Sequence, residues 1–147
     1  MAFSEILEIV NNLDTSETGG GHNKKGIDFQ QYWAVSHMFT LTDENAEDFL
    51  VLFEAIQDIS VFDSSANPTH INIYQIKKKD RNEWTWNNLT GLNKIPKKIS
   101  AKTKPQPFNE TPNSTLGKLY ASVKNIKQTS ASGYFISNAG CDLKLNC

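Results

Sequence analysis

The chain has 147 residues, of which 38% are hydrophobic and 21% are charged, and these proportions are typical of one globular domain rather than of a disordered segment. No apolar run reaches the roughly 18 residues that a transmembrane helix needs, and the acidic N-terminal segment lacks the basic start of a signal peptide. The two cysteines, Cys141 and Cys147, are too few for a disulfide scaffold or a zinc site. The composition therefore predicts a reduced, cytoplasmic, single-domain protein over residues 1–147 that does not enter a membrane.

The formal net charge of −1 hides an uneven distribution of charge along the chain. Residues 1–63 contain twelve acidic residues and two lysines, whereas residues 77–104 contain nine basic residues and two acidic ones. A basic segment in a nearly neutral chain favours a polyanion as partner. A solvated lysine-rich loop explains the same charges equally well.

The first half of the chain predicts two helices and two strands. Apolar spacing predicts an amphipathic helix over residues 2–13, and the glycine-rich segment 14–25 is predicted to be a loop. Residues 26–41 are apolar around most of a helical circumference, which predicts a helix buried on two sides. Residues 49–62 are predicted to form one strand that pairs as a hairpin with a second strand over 71–79.

The second half predicts helices and one final strand. Trp84, Trp86 and Leu89 indicate a short helix, and residues 100–113 are predicted to be a loop. Ser114 is predicted to cap a helix that ends near residue 126, and Gly133 opens the last strand, which includes YFISNAGCDLKL. The order of helix, hairpin, helix and strand predicts an α/β fold with a mixed central sheet flanked by helices.

The predicted hairpin brings three polar side chains together. If its turn is centred between residues 66 and 67, opposed residues have numbers that sum to 133, so that Asp58 faces Gln75 and Glu54 faces Lys79. Gln75 and Lys77 alternate onto the face of the sheet that Asp58 shares. A carboxylate, an amide and an ammonium group then meet at one place, unless a bulge shifts the register.

This group of side chains suits metal-assisted hydrolysis of a phosphodiester. The Asp58 carboxylate is a hard ligand for Mg²⁺, and the Gln75 side chain and the Ile76 carbonyl can complete the coordination shell. A bound metal lowers the pKa of water and neutralises phosphate charge, and Lys77 can orient that water and stabilise the developing charge. For an isolated motif of this kind, a structural ion pair between Asp58 and Lys77 is the simpler explanation.

The motif that ends in Gln75-Ile76-Lys77 resembles the PD-(D/E)xK nuclease superfamily in its QxK variant. The strings GGGHNKKGIDFQQYWAVSHM, VLFEAIQDISVF and INIYQIKKK, followed by LGKLYAS and GYFISNAGCDLKL, resemble the double-stranded DNA endonuclease domain at the N-terminus of CBASS effectors. The same domain occurs on Avs-type defence NTPases. The resemblance implies a restriction-endonuclease-like core and an Mg²⁺-dependent endonuclease, with Mn²⁺ as an alternative ion, that cleaves double-stranded DNA in bacterial antiphage defence.

The same resemblance implies partners. Cutting both DNA strands requires two active sites, so self-association is expected in the active state. A sensor or NTPase region is expected beside the nuclease, and no segment of this sequence resembles one. The chain is therefore interpreted as an excised nuclease module, with truncation of its C-terminal elements as an alternative.

The resemblance assigns roles to individual residues. Asp58 matches the metal carboxylate, Gln75 the variant acid position, Lys77 the catalytic lysine, and Gln30 the polar position of the first helix. Because Gln75 replaces an acid, metal affinity depends on fewer charges. A catalytically inactive DNA-binding or assembly module therefore stays as an alternative. A ribonuclease on the same scaffold is a second alternative, because contacts to phosphate do not distinguish DNA from RNA.

Two further acids compete with Asp58 for the metal. Glu54 matches the acid that precedes the aspartate in the family. In an unbroken strand it would lie about 13 Å from Asp58, too far for both to bind one ion. Asp63 is the third choice because it is predicted to lie at the hairpin turn.

Basic residues are the predicted contacts to the DNA backbone, and such contacts are not specific for sequence. The candidates are Lys24, Lys25, Lys78, Lys79, Arg81, Lys94, Lys97 and Lys98.

Overall fold

The computed structural model describes residues 7–8, 10–11, 24–92 and 111–143. Within the helix predicted over 2–13, residues Leu7, Glu8 and Val10 are helical, Asn11 is in a turn, and the other residues lie outside the described part of the chain. Helix α1 spans Lys24–Asp43. Lys24 and Lys25 therefore belong to the helix and not to the predicted loop over 14–25, because lysine is a good helix former and the glycines lie further upstream. Residues 14–23 of that loop lie outside the described part of the chain.

Helix α1 is buried on one side only, and the prediction of burial on two sides is wrong. Ala34 is 1% exposed, whereas Tyr32, Val35 and Phe39 are 77%, 48% and 67% exposed. Apolar periodicity shows which residues can be buried, but burial also requires a neighbouring element, and α1 packs on the sheet with one face.

Residues 49–62 form two strands instead of the single strand predicted. Strand β1 spans Leu50–Phe53 and strand β2 spans Ile59–Phe62, and the two are antiparallel. The chain reverses between them, where Glu54 has a φ of 52° and its N–H donates to the Asp58 carbonyl at 2.9 Å. The expected pairing of Glu54 with Lys79 and the expected 13 Å separation from Asp58 are therefore wrong. Apolar residues on both sides of the turn hide it from the hydrophobic pattern.

The hairpin register is confirmed. Strand β3 spans His70–Lys77, and it pairs antiparallel with β2 so that Ile59 lies opposite Tyr74 and Phe62 opposite Ile71. Both pairs sum to 133, as predicted. Asp63 lies at the turn, where its carboxylate accepts hydrogen bonds from the backbone N–H groups of Thr69 and His70.

The described part of the region after β3 contains three short elements, which are followed by the second long helix. The elements are β4 (Trp84–Thr85), α2 (Trp86–Thr90), a 3₁₀ turn (Thr111–Asn113) and α3 (Thr115–Asn125). Ser114 caps α3 as predicted, because its hydroxyl accepts a hydrogen bond from the N–H of Gly117 at 3.0 Å. Of the loop predicted over 100–113, residues 111–113 form the 3₁₀ turn and the others lie outside the described ranges.

The predicted last strand is two strands. Strand β5 spans Ser130–Ser137 and runs parallel to β3, and strand β6 spans Cys141–Asp142 and pairs with β4. Strand β5 therefore begins three residues before Gly133, and it ends before Asn138, whose side chain is hydrogen-bonded to the backbone of Lys79, two residues after β3.

The main sheet has the strand order β1-β2-β3-β5, with α1 on one face and α3 on the other. The α1 side of the core contains Ala34, Ile59, Val61, Tyr74 and Ile76. The α3 side contains Ile56, Phe62, Ile71, Ile73, Leu119 and Ile126. This mixed sheet between two helices confirms the predicted α/β, restriction-endonuclease-like core.

Candidate active site

The Asp58 carboxylate is the centre of the site, and it lies one residue before β2. Its Oδ2 atom accepts hydrogen bonds from Gln75 Nε2 at 2.8 Å and from the backbone N–H of Ile76 at 2.6 Å. The Lys77 Nζ atom lies 3.7 Å from the same oxygen. The structure therefore brings together the three side chains that the hairpin register predicted.

The site faces the α3 side of the sheet and is reached at the end of β3. Tyr74 and Ile76 pack with α1, so alternation along the strand directs Gln75 and Lys77 to the other face. Gln75 is only 1% exposed, whereas the Lys77 side chain is 34% exposed. The buried amide and carboxylate thus form the base of the site, and the lysine lies at its solvent-facing edge.

Gln30 and Glu54 are placed differently from the three central residues. Gln30 is half-buried on α1, one turn before Ala34, so it belongs to the helix that covers the opposite face of the sheet. Glu54 is exposed, and the chain reversal places its backbone nitrogen 2.9 Å from the Asp58 carbonyl oxygen. Functional roles for Gln30 and Glu54 stay predictions.

Two polar residues that sequence reasoning missed hold the segments that carry Asp58 and Lys77. Asn138 accepts a hydrogen bond from the N–H of Lys79 at 2.8 Å and donates one to the Lys79 carbonyl at 3.0 Å, which ties the end of β3 to the turn after β5. Gln57 donates from Nε2 to the Ser122 hydroxyl of α3 at 2.7 Å. The SNAG string after β5 was a signal for Asn138. For Gln57 the only signal was an amide inside an apolar run.

The predicted DNA-contacting residues fall into distinct settings. Lys24 and Lys25 are exposed in the first turn of α1, and Arg81 is exposed after β3. Lys78 lies 3.6 Å from Asp80. Lys94, Lys97 and Lys98 lie outside the described residues.

The ammonium group of Lys79 is bound within the protein. It donates to the Glu83 carbonyl at 2.7 Å and lies 4.5 Å from the centre of the Trp84 ring. The Trp84 indole N–H in turn donates to the Ser137 hydroxyl at 2.8 Å. Lys79 therefore connects β4 to the end of β3, and this structural use competes with the predicted contact to phosphate.

The opposite face of the sheet is a neutral aromatic layer. Burial raises the pKa of Tyr74 to about 12, with a smaller contribution from Tyr134, and its hydroxyl lies 3.1 Å from His37 Nε2. Burial also lowers the pKa of His37, and the nearby Glu44 only partly offsets this effect. His37 stacks on Trp33 with ring centres 4.8 Å apart. Both pKa shifts favour the uncharged forms of Tyr74 and His37.

The donor set at Asp58 fits a hard divalent cation. Among the described residues, no group of three or more His, Cys, Asp or Glu side chains could hold a metal ion. The Asp58 carboxylate, the Gln75 amide oxygen and the Ile76 carbonyl are all oxygen donors, which Mg²⁺ prefers. Mg²⁺ sites commonly use one or two carboxylates together with substrate phosphate and water, so a single carboxylate is compatible with this ion.

A comparison with protein-family models gives a match over most of the chain. A family model described as "Cap4, dsDNA endonuclease domain" matches residues 18–147. Neither the curated proteins nor the solved structures contain a match. Within the described part of the chain, no helix combines the length and the apolar character needed to span a membrane.

Proposed function

Because the chain belongs to the Cap4 family of dsDNA endonuclease domains, which are nuclease domains of CBASS antiphage effectors, we propose that Asp58, Gln75 and Lys77 form its catalytic centre. The centre is of the PD-(D/E)xK type in its QxK form, and it hydrolyses phosphodiester bonds with Mg²⁺. The observation that carries this proposal is the convergence of Gln75 Nε2, the Ile76 N–H and Lys77 Nζ on one oxygen of Asp58. The family match favours DNA over RNA, which the residues alone left open.

Each residue has a distinct task in this proposal. Asp58, the Gln75 amide oxygen and the Ile76 carbonyl would hold the ion, which when bound would lower the pKa of a water and neutralise phosphate charge. Lys77 orients the attacking water and stabilises negative charge that develops on the phosphate oxygens. The Asp58 carboxylate, 3.7 Å from Lys77 Nζ, attracts the ammonium group and directs it into the site.

The remaining parts of the proposal concern DNA and assembly. Backbone contacts from the exposed basic residues Lys24, Lys25, Lys78 and Arg81 hold the duplex. Lys94, Lys97 and Lys98, which lie outside the described residues, are further candidates for such contacts. Two copies act together on the two strands, and a sensor or NTPase region controls their assembly. Such an effector works in the bacterial cytoplasm, where its DNA target is present.

The test is cleavage of linear duplex DNA with Mg²⁺, with Mn²⁺ and with EDTA by the wild-type chain and three variants. Asp58→Asn and Lys77→Met are expected to lose cleavage, for the lysine by about 100-fold or more. Lys127→Met is the control, because Lys127 is exposed and lies just before β5, whose first residue pairs with His70 at the opposite end of β3 from Lys77. It is expected to cut at a rate near that of the wild type.

The outcomes separate the alternatives. Cleavage that is stopped by EDTA and absent from both site variants supports the proposal. Cleavage that persists in Asp58→Asn and Lys77→Met would show that the active centre lies elsewhere. Duplex binding with steep salt dependence and no cleavage under any metal condition would support the inactive DNA-binding module instead.

A further inference from the structure

We propose that Gln57 is a positioning residue for the reaction and acts through its hydrogen bond to Ser122 of α3. This inference rests on the proposed function, in which the Asp58 carboxylate is catalytic. Gln57 directly precedes Asp58 in the chain, and its Nε2 atom lies 2.7 Å from the Ser122 hydroxyl oxygen. The side chain of Gln57 thus connects the residue before the carboxylate to the helix that covers that face of the sheet.

Stability by itself does not account for an amide at this position. Gln57 is 4% exposed and Ser122 is 2% exposed, so both polar groups have lost their contacts with solvent. The Gln57 Oε1 atom has no hydrogen-bond partner among the described residues. Burying such an acceptor is unfavourable, and replacing both partners of a buried hydrogen bond by apolar groups of the same shape can be nearly neutral or stabilising. The main effect of the Gln57 amide is therefore to fix the position of the backbone at this residue.

The turn that contains Gln57 needs contacts with other elements to fix its position. Residues 54–58 reverse the chain between β1 and β2, and Glu54 adopts a left-handed backbone conformation that is unfavourable for a residue with a side chain. Within the turn, the Glu54 N–H bonds to the Asp58 carbonyl, and Ile56 is fully buried in the core on the α3 side. The bond from Gln57 to Ser122 is the polar connection that fixes the turn relative to α3.

The position of this turn decides whether the Asp58 carboxylate reaches its partners. Asp58 Oδ2 lies 2.6 Å from the Ile76 nitrogen and 2.8 Å from Gln75 Nε2, and these contacts leave little tolerance for a shift of the chain. Misplacement of a catalytic group by about 1 Å can reduce a rate by about 100-fold. Loss of the bond to Ser122 is therefore expected to reduce the rate of the chemical step without changing the surface that binds DNA.

The test uses Gln57→Met, which keeps the length of the side chain, and Ser122→Ala, which removes only the hydroxyl. Both are expected to lower kcat for linear duplex DNA by about 10-fold to 100-fold while KM stays near the wild-type value. The double variant should lose no more activity than either single variant, because both changes remove the same interaction. Hydrogen exchange of the Ile76 N–H should become faster in all three, since this N–H donates to Asp58.

A control variant distinguishes positioning from a general loss of stability. Ser64→Ala removes a side-chain hydrogen bond to Asp48 at the other end of β2 and should change neither kcat nor the exchange of the Ile76 N–H. An equal fall of kcat in Ser64→Ala would overturn the proposal, and so would wild-type kcat in Gln57→Met. If Asp58→Asn itself cuts at the wild-type rate, the proposed function fails. Exchange at Ile76 then still decides whether Gln57 positions Asp58, since it does not depend on cleavage.

Discussion

Gly133 of β5 lies against the Leu119 and Val123 side chains of α3, and its substitution by alanine gives a sharp test of this packing. A Cβ atom at this position would lie 3.0 Å from Val123 Cγ2, 3.1 Å from Leu119 Cγ and 3.3 Å from Leu119 Cδ1. Ordinary carbon contacts are about 3.5–4.0 Å, so the Val123 and Leu119 side chains must shift by a few tenths of an ångström to make room. Since Leu119 is 5% exposed, little free space is available for that adjustment.

The expected cost follows from these distances. Overfilling a packed core costs about 1–3 kcal/mol of unfolding free energy, whereas restricting the unfolded chain by replacing glycine returns about 0.4–1 kcal/mol. Gly133→Ala should therefore reduce the free energy of unfolding by about 1–2 kcal/mol. For a chain of this size, about 3 °C of Tm corresponds to each kcal/mol, which gives a Tm lower by about 3–6 °C.

Thermal unfolding followed by circular dichroism measures this difference. Gly26→Ala is the matched control, because Gly26 lies in α1 and a Cβ atom there would meet no atom within 4 Å. The same substitution in this helix should raise the free energy of unfolding by about 0.5–1 kcal/mol. A Gly133→Ala protein as stable as the wild type would refute the close packing of α3 on β5.

Three other substitutions test the site and its surroundings. Glu54→Gln should raise the Mg²⁺ concentration for half-maximal cleavage by about 10-fold if Glu54 supports metal binding beside Asp58, and an unchanged midpoint would exclude that role. Arg81→Ala should weaken duplex binding and reduce the slope of log K against log salt by about 0.9, whereas an unchanged slope would remove Arg81 from the DNA surface. For Asp63, burial raises the carboxyl pKa, but hydrogen bonds from the Thr69 side chain and from the backbone N–H groups of the Thr69–His70 segment outweigh it and lower the pKa below 3.8. A carboxyl group whose pKa is lowered in the folded state stabilises the protein above pH 3.8, and this stabilisation disappears as the pH falls further. The loss of unfolding free energy caused by Asp63→Asn should therefore be smaller in acid. Urea denaturation at pH 7 and pH 3 measures this loss, and an equal loss at both pH values would contradict the prediction.

The alternation of apolar and polar residues limited how far the structure could be predicted. It was sufficient for the pairing of β2 with β3, because a slip by one residue would turn every buried side chain to the other face. It failed at residues 54–58, where apolar residues continue through a chain reversal that depends on the backbone of Glu54. It also failed at α1, since the exposed residues Tyr32 and Phe39 are as apolar as the buried ones.

The sequence by itself determined that the side chains of Asp58, Gln75 and Lys77 lie close together, because the register of an antiparallel hairpin follows from local residue spacing and a short turn. Only the tertiary structure decided which face of the sheet these residues share and which elements hold them there. The bond between Gln57 and Ser122 joins residues that lie 65 positions apart in the sequence. Contacts over that distance depend on how α3 packs on the finished sheet, and no periodicity within either segment encodes that packing.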